Sequence, residues 1–103
     1  MLRDSIIRQR GTLVGGTEID WTTPTTATYA AEVFSPSSNE DIIFAQRVEA
    51  QYVVQAVVEA DIVPTDRITW QADVYEIVSG VDKLSAHGKV RQLRFLIRKV
   101  SGG

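Results

Sequence analysis

The residues of this chain that could do chemistry are few and far apart. His87 is the only histidine, and the only side chain whose ordinary titration falls near neutral pH. It sits in Ser85-Ala86-His87-Gly88. A Ser/His/carboxylate triad needs a base held by a third group, and no Gly-x-Ser-x-Gly elbow is present to hold a nucleophile. The expectation is a solvated loop histidine. Carboxylates come in pairs at Glu40-Asp41 and at Glu59/Asp61. Glycoside hydrolysis needs two carboxyls facing each other across a groove. The first pair reads better as a helix start and the second as strand-end solvation. Gly15-Gly16 lacks the lysine and the glycine spacing of a phosphate loop. Cysteine is absent, which removes disulfides and thiolate metal sites, and with one histidine a structural zinc site is not expected. No catalytic residue, metal or cofactor is expected, and the chain is not read as an enzyme.

The remaining candidate is basic. Arg91, Arg94 and Arg98, with Lys89 and Lys99, lie in one stretch. A basic strand can track a phosphate backbone. Stacking of single-stranded bases needs aromatics on the same face, and Phe95 alternates away from Arg94 and Arg98. These arginines form a candidate contact face, for phosphate or for acidic groups of another subunit. The whole-chain charge of −2 conceals an uneven spread. Six basic groups and no acid follow Asp82, whereas twelve acids and only Arg47 and Arg67 lie between residues 11 and 82. That split suits head-to-tail association of copies or a channel wall of one sign, unless the fold interleaves the segments.

These residues must be positioned by short elements. The chain has 103 residues, with 44% hydrophobic and 23% charged residues, ordinary values for one globular domain. Three features suggest a cytoplasmic chain: no cysteine, no run of about 18 apolar residues, and no apolar core in MLRDSIIRQR. Ser5 to Arg10 reads as a strand. Leu13-Val14, Gly15-Gly16 and Ile19 to Trp21 give a hairpin signal. Thr22 to Thr28 holds five threonines, Pro24 and Ala27, and reads as an exposed, stiff loop. Tyr29 to Phe34 is a strand ended by Ser35-Pro36. Ser37 or Ser38 can cap a helix of about 8–10 residues. Its run Ile42, Ile43, Phe44, Ala45 is broader than one apolar stripe, which suggests contact on two sides.

Val48 to Val58 alternates as a strand, with Val53 and Val57 breaking its polar face and hinting at cover there. Ile62 to Val78 holds a turn at Pro64 and Asp66, a strand through Ile68 and Trp70, a short connection at Gln71-Ala72, and a strand through Val74, Tyr75 and Ile77. Trp21 and Trp70 could anchor an interface, though Trp70 alternates in phase with Ile68 as a core residue does. Val81 to His87 reads as a loop between Gly80 and Gly88. Val90 to Val100 turns Leu93, Phe95 and Ile97 to one face, and residues 101–103 form a flexible tail. The expected fold is mainly β: a single small barrel of about six or seven antiparallel strands with one short helix.

The order of these motifs resembles the phage head–tail joining family, also called head-closure or stopper proteins. The residues that carry the likeness are Pro64-x-Asp66-Arg67-Ile68-x-Trp70, then x-Tyr75-x-Ile77-Val78 after a short connection. In order with them stand a basic first strand, Gly15-Gly16 before Trp21, the strand Tyr29 to Val33, a serine-led helix and a basic last strand from Gln92 to Val100. The pattern departs at Gln71-Ala72, where such proteins often carry Asn/Asp-Gly, and alanine resists φ > 0. The resemblance implies a structural virion protein assembled in the host cytoplasm. It would form a ring of sixfold or twelvefold symmetry below the portal or its adaptor, close the DNA channel after packaging and offer the tail a docking face. Its partners would be its own copies, the portal or adaptor connector, a tail terminator or completion protein, and genomic DNA passing without sequence recognition. On that reading Thr22, Thr23, Pro24, Thr25, Thr26 and Thr28 reach a neighbour or the channel, and Ile42, Ile43 and Phe44 form an interface helix. A tail-side completion protein and a small nucleic-acid-binding barrel are the alternatives.

Overall fold

The computed structural model describes residues 3–16, 18–36, 39–86 and 88–100. Its elements are β1 (Asp4–Val14), β2 (Glu18–Phe34), α1 (Asn39–Val48), β3 (Tyr52–Val57), β4 (Arg67–Trp70), β5 (Asp73–Ile77), β6 (Asp82–Ala86) and β7 (Lys89–Lys99). All pairings are antiparallel. Six of them join β1, β2, β3, β7, β5 and β4 into a closed, barrel-like ring, with β6 beside the first half of β7. The mainly β architecture with seven strands and one short helix is the one expected from the sequence.

Alternation places the core. Ile6, Ala31, Val54, Ala56, Ile68, Tyr75, Leu93, Phe95 and Ile97 point inward from six strands and are buried. A fully buried Ile or Phe stabilises by roughly 1.5–3 kcal/mol over an exposed one, so these residues hold the ring closed. Val53 and Leu96 project from β3 and β7 to the outside, yet they are buried as well. Ala45 of α1 packs on them, with Phe34, Ala50 and Val78 at the margin. The break in the polar face at Val53 is therefore where the helix lies.

Three sequence readings change. Thr22 to Thr28 is not a loop; it lies within the 17-residue strand β2. Ala27 and Thr28 pair with Arg8 and Ile7, and Thr25 and Thr26 with Arg10 and Gln9. Threonine is β-branched and favours a pleated surface, and that outweighs the polarity that suggested a loop. Pro24 is accommodated where the β1–β2 register slips between Arg10 and Thr12, since proline cannot donate to a regular ladder. The Val48 to Val58 strand begins only at Tyr52, because Val48 ends α1 and Glu49 turns the chain at φ 57°. Most of the stretch read as a loop from Val81 is a strand. Asp82–Ala86 pairs with Lys89 to Arg94 of β7, and Gly88 makes the turn at φ 76°. The short connection expected at Gln71-Ala72 is present between β4 and β5 as a two-residue turn in which both Gln71 (φ 51°) and Ala72 (φ 67°) are left-handed. That is the geometry Asn-Gly normally supplies.

The caps Ser37 and Ser38, His87, residues 101–103 and the side chains of Glu40, Asp41, Phe44 and Arg91 lie outside the described residues.

Candidate functional site

One end of the barrel carries most of the distinctive features. β1 and β2 run past the ring there as a hairpin arm. β1 touches β4 only from Ile7 to Gln9, and β2 touches β3 only from Ala31 to Phe34. Thr12, Leu13 and Val14 pair only with Asp20, Ile19 and Glu18. Gly15 and Gly16 close the arm at φ 63° and 83°. Gly11 sits at its base, where a Cβ would lie 2.3 Å from Ile19 Cγ2 and 2.7 Å from the Asp20 carbonyl, so only glycine fits. The tip is apolar and uncovered: Leu13 is 63% exposed and Val14 43%. The arm's base is fastened by Arg67 of β4, whose guanidinium lies 4.2 Å from the Trp21 ring centre, a cation–π contact. Trp21 is thus half-buried at the arm's root, not at an open face.

The same end is plugged by residues 58–66, which join β3 to β4. Ala60 and Ile62 enter the core. Asp66 is almost fully buried and is the node of the plug. Its carboxylate takes Arg10 Nε and Nη2, both at 2.9 Å, and the Val63 amide at 2.9 Å. Arg10 also reaches Asp61 at 3.0 Å. Arg8, buried in phase with Ile6, donates to the Asp61 carbonyl at 3.1 Å, and the Asp61 amide donates to the Tyr29 hydroxyl at 3.2 Å. Hydrogen bonding from Arg10 holds the Asp61 carboxyl below its ordinary value. The same bonds, from Asp66 first and Asp61 second, push the Arg10 guanidinium further up. The reading of Asp61 as strand-end solvation is therefore incomplete, since it is ion-paired as well. The signal was available: an arginine sharing its strand face with Ile6 must find a buried partner.

The candidate basic face is largely neutralised in place. Arg98 bonds Glu76 at 2.9 Å through Nε and Glu49 at 3.1 Å. Bonding to Glu76 raises its guanidinium pKa. Lys99 lies 3.4 Å from Asp73. Arg94 stands opposite Asp82 on β6 and also has a partner. The two basic termini thus lie against the acidic middle of the chain, and the interleaved alternative holds at these positions. The candidate interface helix shows Ile42 and Ile43 to solvent, Ile43 at 57%. A shallow cleft of about 330 Å³ lies beside Ile42, between Pro36 and Glu49. Among the described residues no cluster of His, Cys, Asp or Glu could hold a metal ion. No family model matches the chain, and no curated protein matches it.

Proposed function

We propose that this chain is a structural protein of a tailed-phage head–tail connector, one that closes the DNA channel below the portal or adaptor and gives the tail a docking surface. The order of motifs along the whole chain motivates the reading. The observation that carries it is the hairpin arm. A barrel of this size devotes residues 12–14 and 18–20 to a paired arm whose apolar tip has no place on its own core. Exposed apolar residues on a stiff arm are what an assembling subunit uses to reach a neighbour. The exposed Ile42 and Ile43 supply a second apolar surface far from the arm in sequence, and a closed ring needs two different patches. The pairing of Arg98 and Lys99 with acids on the same chain argues against the nucleic-acid-binding alternative, because a phosphate backbone would have to displace those acids.

The test is capture of the purified chain on isolated connectors and on isolated tails, followed by negative-stain imaging. Density added below the connector is the expected result. Binding to tails alone would move the protein to the tail side, and binding to neither would reject the virion reading.

A further inference from the structure

The arrangement of sheet edges points to something more specific than the arm. We infer that copies of this chain associate head to tail by adding β6 of one barrel to the outer edge of β2, residues 25–30, on the next. No described strand pairs with that edge of β2, because β3 begins to pair only at Ala31. Residues 58–66 turn inward there, and no backbone hydrogen bond among the described residues joins them to β2. β6 likewise pairs with β7 alone. Among the described residues these are the two longest uncovered edges on the body of the barrel.

Three geometric facts make them partners. In the ring order β1, β2, β3, β7, β5, β4, β6 prolongs the β5 position along β7, three places from β2 whichever way one counts. The two edges therefore lie on opposite sides of the barrel. Both lie at the same end, because Ala31 stands opposite Ala56 near the finish of β3, while Gln92 beside Val57 stands opposite Leu84 of β6. Their directions are opposite as well, since β2, β3, β7 and β6 alternate. Copies set side by side with barrel axes parallel would thus bring β2 against β6 in the antiparallel sense, at one height. Unlike edges on opposite sides make a heterologous contact, which closes into a ring where the rotation between copies allows it and otherwise runs on as an open filament.

Composition agrees. Soluble proteins blunt open edges with charge, proline or bulges. No charged residue occurs between Asp20 and Glu32. Thr25, Thr26, Thr28 and Ala30 are exposed, and Pro24 stops the open edge short of the arm. By contrast, the outer edge of β1 beyond Gln9 carries Arg10, locked onto Asp66, and the irregularity at Gly11. The inference does not depend on the virion reading, because it rests on the sheet edges alone.

The chain has no cysteine, so cross-linking reports single positions. Ser85→Cys is combined in turn with Thr26→Cys, Thr28→Cys or Ala30→Cys in the full chain, and each is oxidised at high protein concentration, where even a weak contact is trapped. At least one combination should give a ladder of oligomers, while each single variant stays essentially monomeric. Adding Thr28→Lys to the Ala30→Cys/Ser85→Cys variant should abolish its ladder. Absence of a ladder in every combination overturns the inference, as does a ladder that survives Thr28→Lys. Dimers from the β2 single variants alone also overturn it, by showing β2 against β2. None of these outcomes bears on connector capture, so the two readings fail separately.

Discussion

Ala72 is the clearest place where a single residue works against its backbone. It holds φ 67° in a two-residue hairpin turn, a region in which a Cβ costs about 1–2 kcal/mol. Ala72→Gly should remove that cost, lose part of it to the freer unfolded chain, and stabilise by roughly 0.5–1 kcal/mol. A thermal melt should show a rise of a few degrees, and a fall would mean that the turn is not strained. Trp70, beside it, makes an edge contact with Tyr52 at 5.1 Å and a tilted one with Tyr75 at 6.1 Å. Since Trp70 is only half-buried, Trp70→Ala should cost about 3 kcal/mol, the low end for a core aromatic. Denaturant titration measures it, and unchanged stability would assign Trp70 to an interface instead. Asp61 gives a pH signature. Its folded carboxyl titrates below the ordinary 3.8 because Arg10 bonds it. The unfolded chain therefore binds the proton first as pH falls, and stability from this pair is complete above that range and lost as pH drops below it. Asp61→Asn should be less stable than the native chain at neutral pH, and the gap should close in acid. A gap that persists unchanged in acid would show that the ion pair is not its source.

At the level of elements, the arm and the barrel are separable. Thr12 to Val14 and Glu18 to Asp20 pair only with each other, so the ring's core does not depend on them. Replacing residues 12–20 with a short turn should leave the melting temperature within a few degrees of native, and it should weaken any assembly the arm mediates. Loss of folding would show that the arm is part of the core. Replacing Thr22 to Thr28 is a different matter. These residues are readable as a loop because they are polar, but the ladder of Thr25 to Thr28 with Ile7 to Arg10 is part of the barrel wall. The helix shows the converse. Its short, uneven apolar run was legible as an element packed on something, and Val53 and Val57 were legible as covered positions. That Ala45 meets Val53 and Leu96 could be known only once β3 and β7 were adjacent.

Across the whole molecule, alternation of apolar residues determined much by itself. The strands around Ile6, Ala31, Val54, Ile68, Tyr75 and Phe95, the Gly15-Gly16 turn, the short helix and the mainly β class all follow from period and turn chemistry, which act over a few residues. The tertiary structure decided what depends on partners distant in sequence. Arg10 and Asp66 are 56 residues apart, and Arg98 and Glu49 are 49 apart. A charge count along the chain separates what the fold brings together. Strand status at Asp82–Ala86 and at the threonine run was likewise decided by a neighbouring strand, because a β-strand is stabilised across the sheet and not along its own chain. The open edges of β2 and β6 belong to the same class of property. An edge is defined by the absence of a neighbour, and no stretch of sequence carries that by itself.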